Sequence, residues 1–101
     1  MVAAIIEQNK DEIAELCKKH RVKRLDVFGS ATTNAFDERS SDVDFIVTFE
    51  NPEEGILYRY LNLADDLERL LKRKVDLLTE RSVGSAEFRS EVERQRTPIY
   101  A

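Results

Sequence analysis

Arg24-Leu25-Asp26-Val27-Phe28-Gly29-Ser30 and, one polar loop later, Ser41-Asp42-Val43-Asp44-Phe45-Ile46-Val47-Thr48-Phe49 decide how this chain is read. Both stretches hold β-prone runs, and both carry chemistry at one end. Side chains alternate along a strand, so Asp42 and Asp44 point to the same side and make a small, doubly negative oxygen site suited to Mg²⁺. The Gly29-Ser30 turn offers close backbone approach and a hydroxyl, which suits a phosphate group. A metal site beside a phosphate cradle is the minimum equipment for chemistry on a nucleoside triphosphate.

Outward from these strands, the pattern predicts the rest. Residues 2–20 read as a helix, with Ile5 or Ile6, Ile13, Leu16 and Cys17 at helical spacing and Lys18-Lys19-His20-Arg21 at its C-terminal end. Strands are predicted over 22–28 and 43–49, separated by an aperiodic loop over 31–41. Asn51-Pro52-Glu53-Glu54 reads as a helix start, Asn51 as N-cap and Pro52 at the first position. That helix runs to about Arg73 on a stripe from Ile56 to Leu71. A third strand over 74–79, a helix over 85–95 and a short tail at Thr97-Pro98-Ile99-Tyr100 complete the chain. The order α-β-β-α-β-α predicts an α+β fold, a small mixed sheet with helices mainly on one face, in a single domain over 1–101.

Composition sets bounds. With 101 residues, 42% hydrophobic, there is room for one core and no more. A net charge of −4 argues against broad binding to a nucleic-acid backbone. The lone cysteine, Cys17, excludes an internal disulfide and suits a reducing compartment. The first residues turn charged too soon for a signal peptide, and no apolar run approaches the roughly 20 residues that span a bilayer. A cytoplasmic protein is expected. Cys17 and Tyr60 read as packing residues, His20 as a solvated helix-terminal residue. With no second histidine and no Gly-x-Ser-x-Gly elbow, Ser30 is a poor nucleophile.

A third acid sharpens the reading. Asp76 stands mid-strand between Val75 and Leu77, where a charge is costly to bury unless paired or bound to a cation. If its strand lies beside 43–49, Asp76 shares a face with Asp42 and Asp44. Three carboxylates around two Mg²⁺ ions give the arrangement for in-line nucleotidyl transfer. Asp76 is then the candidate general base, and Gly29 and Ser30 hold the β- and γ-phosphates.

Phe28-Gly29-Ser30, Ser41-Asp42-Val43-Asp44-Phe45 and Val75-Asp76-Leu77-Leu78, in that order, resemble the signature of the DNA polymerase β nucleotidyltransferase superfamily, and most closely its minimal nucleotidyltransferase (MNT) group. The resemblance extends over nearly the whole chain. It implies the polymerase β-like fold, with Asp42, Asp44 and Asp76 as catalytic metal ligands and Gly29 and Ser30 as triphosphate contacts. It also implies transfer of AMP from ATP to a tyrosine of a HEPN-domain toxin, for which the MNT protein is the antitoxin. One departure concerns the loop. Many relatives follow Gly-Ser with arginines, whereas this chain continues Ala31-Thr32-Thr33, leaving Arg39 as the candidate nucleotide-binding replacement. The competing expectation is a non-catalytic antitoxin that neutralises its partner by occlusion. Since a core this small borrows its acceptor from whatever docks with it, a protein acceptor or a homo-oligomer is expected.

Overall fold

The computed structural model describes residues 2–33, 35–37 and 41–101. Its elements in chain order are α1 (Ala4–Gln8), α2 (Lys10–Lys19), β1 (Val22–Phe28), β2 (Val43–Phe49), α3 (Ile56–Leu71), β3 (Val75–Thr79), α4 (Ala86–Gln95) and β4 (Thr97–Tyr100). Short 3-10 turns follow β1 at Gly29–Thr32 and β3 at Glu80–Ser82. The sheet order is β3-β2-β1-β4, with β2 and β3 parallel and both pairings of β1 antiparallel. No described helix is long and apolar enough to cross a membrane.

Strand alternation sorts the side chains into two layers. Val43, Phe45 and Val47 of β2, with Leu25, Val27, Val75 and Leu77 on its neighbours, meet Ile6, Ile13 and Cys17 from α1 and α2 and Leu63, Leu67 and Leu71 from α3. Burial pushes the Cys17 thiol up to about 12, as a core position requires. On the opposite face a smaller cluster of Phe28, Ile46, Val83 and Val92 lies under α4. Three helices thus cover one face and one helix half-covers the other. That uneven cover leaves part of the second face open.

Two buried charges lock this frame. Asp26, on the second face of β1 and fully buried, is gripped by Arg96 (Nε to Oδ2, 2.8 Å) and by Arg24 Nε (3.0 Å to Oδ1). Arg96 also bonds Glu80 (2.6 Å), holding that carboxyl below the usual range, and so fixes the α4–β4 junction onto β1. On the first face, Arg59 is buried in α3, where its guanidinium donates to five main-chain carbonyls.

Four sequence expectations need correction. The 97–100 segment is not a tail: it pairs with β1 as an edge strand, the place where Pro98 is tolerated. The first helix breaks at Asn9, whose amide donates back to the Ile5 carbonyl (2.8 Å) in competition with the helix. The long helix begins at Ile56 and not at Pro52. Asn51 lies in the left-handed region (φ +46°) and Gly55 takes the N-cap place, so the Asn-Pro start signal builds a turn instead. His20 is buried, with Nε2 2.7 Å from Asp66 Oδ2, and that contact holds the Asp66 carboxyl below its ordinary range.

Candidate active site

The parallel register of β2 and β3 sets Asp44 directly beside Asp76. In a parallel pair such partners face the same side, and neighbouring strands stand about 4.8 Å apart, so the two carboxyls meet on the half-open face. Burial, then the closeness of Asp76, then the charges of Asp76 and Asp42 push the Asp44 carboxyl up to about 6. Asp44 therefore holds its proton above the ordinary carboxylate range when nothing else balances its charge.

Asp42 lies just before β2, half-buried, and acts on Asp44 through its charge. It stands outside the Asp44–Asp76 pair, and among the described residues no three His, Cys, Asp or Glu side chains gather tightly enough to hold an ion together. The pair itself fits a hard divalent cation: all its donors are carboxylate oxygens, and a cation there would replace the proton that Asp44 retains. Asp44, Asp76 and, from the strand mouth, Asp42 are therefore the residues available to Mg²⁺.

Gly29 ends β1 against this pair. Its φ is +72°, and a Cβ there would stand 2.4 Å from Asp44 Oδ2. Glycine is required on both counts. Its N–H donates to Gln95 Oε1 (3.1 Å) at the end of α4. Thr32 Oγ1 donates to the Gly29 carbonyl (2.8 Å), and Thr33 Oγ1 to that of Ser30 (3.1 Å). Thr32 and Thr33 thus staple the turn on itself. Ser30 is half-buried, and its hydroxyl has no protein partner among the described residues. Arg39 lies outside the described residues.

A groove of about 520 Å³ runs from the acids around the edge of β3, lined by Phe28, Asp44, Tyr60, Asp76, Leu78 and Phe88. The Tyr60 hydroxyl donates to the Leu77 carbonyl on that edge, and Phe88 meets Phe28 edge-on with centroids 6.3 Å apart. Sequence reasoning missed Gln95, because no periodicity links residue 95 to residue 29; only the strand return after α4 brings them together.

Two predictions arise here. Because folding raises the Asp44 carboxyl, the unfolded chain loses its proton first as pH climbs from the ordinary 3.8 to about 6, and stability falls across that window. Asp44→Asn is therefore expected to be more stable than wild type above pH 6 without divalent cations. The advantage should vanish near pH 3.8, read from urea unfolding midpoints. Gly29→Ala, strained and in collision with Asp44, is expected to cost about 1–3 kcal/mol in the same measurement.

The profile of the nucleotidyltransferase domain family matches residues 10–99. The protein adenylyltransferase MntA of Thermococcus cleftensis is 34% identical over 84 residues, 83% of this chain and 79% of its own length. Among solved structures, a candidate minimal nucleotidyltransferase superposes with a TM-score of 0.74 at 30% identity, over 97% of this chain and 96% of that one. A toxin–antitoxin crystal structure with AMP-PNP superposes with a TM-score of 0.67 at 25% identity, over 92% and 73%.

Proposed function

The chain belongs to the nucleotidyltransferase domain family, and from that premise we propose that it is a protein adenylyltransferase that moves AMP from ATP, with Mg²⁺, to a tyrosine of a cognate HEPN toxin and so acts as its antitoxin. The observation that carries this reading is the Asp44–Asp76 pair, side by side in a parallel ladder and pressed by a glycine turn. Burial of Asp44 first, and its closeness to Asp76 second, keep the Asp44 carboxyl from ionising at its ordinary pH.

Asp44 and Asp76, joined by Asp42, would hold Mg²⁺, which when bound neutralises triphosphate charge and polarises the reacting phosphate. The acceptor hydroxyl attacks the α-phosphorus; the new O–P bond forms as the bond to pyrophosphate breaks. Asp76 takes the hydroxyl proton at a carboxylate oxygen. Asp44, whose burial makes it reluctant to ionise, gives up its proton before the cation is seated. The Ser30 hydroxyl, without a partner among the described residues, meets the β/γ-phosphates, and the Gly29 N–H joins it by leaving Gln95. Arg39 is the proposed cationic contact. Most of the barrier reduction is positioning and charge, so few groups suffice.

The test is transfer of AMP from α-labelled ATP, with Mg²⁺ present, to the proposed HEPN-domain partner. Label on a partner tyrosine supports the reading; a partner silenced without label refutes it. One observation favours occlusion instead, namely the Thr32 and Thr33 side chains stapling the turn where relatives place arginines. On that reading Asp44→Asn neutralises the partner as well as wild type.

A further inference from the structure

One face of α4 carries Phe88, Val92 and Gln95, spaced i, i+4 and i+7. Val92 is buried in the second-face cluster, and Phe88 lines the acid groove edge-on to Phe28. A third apolar residue would complete this stripe, yet a half-buried amide holds the place. Its Oε1 accepts the Gly29 N–H at 3.1 Å, and because that N–H can only donate, the amide oxygen and not its nitrogen must face it. The turn does not depend on this bond for its shape. The Thr33 N–H and Oγ1 both donate to the Ser30 carbonyl (3.0 and 3.1 Å), and Thr32 Oγ1 donates to that of Gly29 (2.8 Å).

The main chain at Gln95 is held on both sides. Its carbonyl accepts from Thr97 Oγ1 (3.2 Å), and the next N–H, that of Arg96, donates to the Val92 carbonyl (2.7 Å). The Arg96 side chain is in turn gripped by Asp26 and Glu80. What is left to move is the Gln95 side chain, by rotation about its own bonds away from Gly29. A neutral amide oxygen is a weaker acceptor for that N–H than a charged phosphate oxygen. We propose that Gln95 is a placeholder: without nucleotide its Oε1 takes the seat of a phosphate oxygen on Gly29, and an incoming triphosphate displaces it. Gln95 thereby sets how tightly nucleotide is held, because its own bond to Gly29 is broken before the phosphate bond forms. The placeholder rests on the transferase reading, which supplies the triphosphate, and gives α4 a controlling part in the nucleotide site.

Two variants test this. Gln95→Met keeps the length of the side chain and removes the amide oxygen; Gln95→Asn keeps the amide and is one methylene too short to reach Gly29. In calorimetry, Mg²⁺·ATP should bind each variant about three- to tenfold more tightly than wild type, the span of one neutral hydrogen bond. Their urea midpoints should not rise, so affinity and stability part company, whereas a merely structural contact would weaken both. Without nucleotide, the Gly29 amide should exchange its hydrogen faster in the variants than in wild type by NMR, and Mg²⁺·ATP should protect it again. Equal or weaker ATP binding by either folded variant overturns the proposal. So does a Gly29 amide that exchanges in the variants at the same rate with and without Mg²⁺·ATP. Wild-type protein that binds no Mg²⁺·ATP strikes the transferase reading and the placeholder with it, while wild-type binding with no gain in the variants strikes the placeholder alone.

Discussion

Asp76→Asn is expected to lower AMP transfer to the partner by about a thousandfold or more, some 4 kcal/mol of barrier. The substitution keeps the shape of the side chain, and the position is exposed, so the fold has no reason to change. What disappears is one of the two carboxylates that adjoin in the ladder and, with it, the proposed acceptor for the hydroxyl proton. Asp44→Asn should fall by a similar factor, and the double variant little further, because groups acting as one unit do not lose activity additively. A structural role alone predicts otherwise: both variants would then keep transfer wherever they stay folded. Since Asp44→Asn is expected to gain stability above pH 6, its loss of activity cannot be laid to unfolding.

The largest expected loss of stability is at Arg59, where alanine should cost about 3–5 kcal/mol in urea unfolding. Its guanidinium donates to the carbonyls of His20 (3.0 Å), Arg21 (2.8 Å), Glu50 (2.6 Å), Asn51 (3.0 Å) and Glu54 (2.9 Å), and lies 4.9 Å over the Phe49 ring. Two of those residues, Arg21 and Asn51, hold positive φ at the entry to β1 and the exit from β2. Truncation strands those carbonyls away from water. Lysine should recover little, because a single ammonium cannot fork to carbonyls on two separate turns. Transfer by the surviving folded fraction should be nearly normal, since Arg59 stands on the face opposite the acid pair.

Much of this was legible in the chain. Val22–Phe28, Val43–Phe49 and Val75–Thr79 are strands because β-branched and aromatic residues recur there, and that alternation places Asp44 and Asp76 on one face once the strands adjoin. What stayed hidden depends on distant contacts. Thr97-Pro98-Ile99-Tyr100 is too short and too proline-bearing to look like a strand until β1 offers it an edge. Asn51-Pro52 carries a sound helix-start signal that loses to the Arg59 cluster. His20 sits at a helix end, and only Asp66, 46 residues on, explains its burial. At the site, the three threonine and glutamine contacts around Gly29 and Ser30 come from loop closure and from α4, neither of which has a motif. The described Ala31-Thr32-Thr33 segment reads as a deficit of positive charge; its structure shows a stapled turn.

The central claim is that the Asp44–Asp76 pair seats a divalent cation for a nucleoside triphosphate. Calorimetric titration of ATP into the protein at pH 6, in Mg²⁺ and in EDTA and in two buffers of different ionisation heat, addresses it most directly. Binding that requires Mg²⁺, releases protons as Asp44 gives up its own, and is lost in Asp44→Asn/Asp76→Asn is the predicted result. ATP binding that survives in EDTA, or that is the same in the double variant, contradicts it.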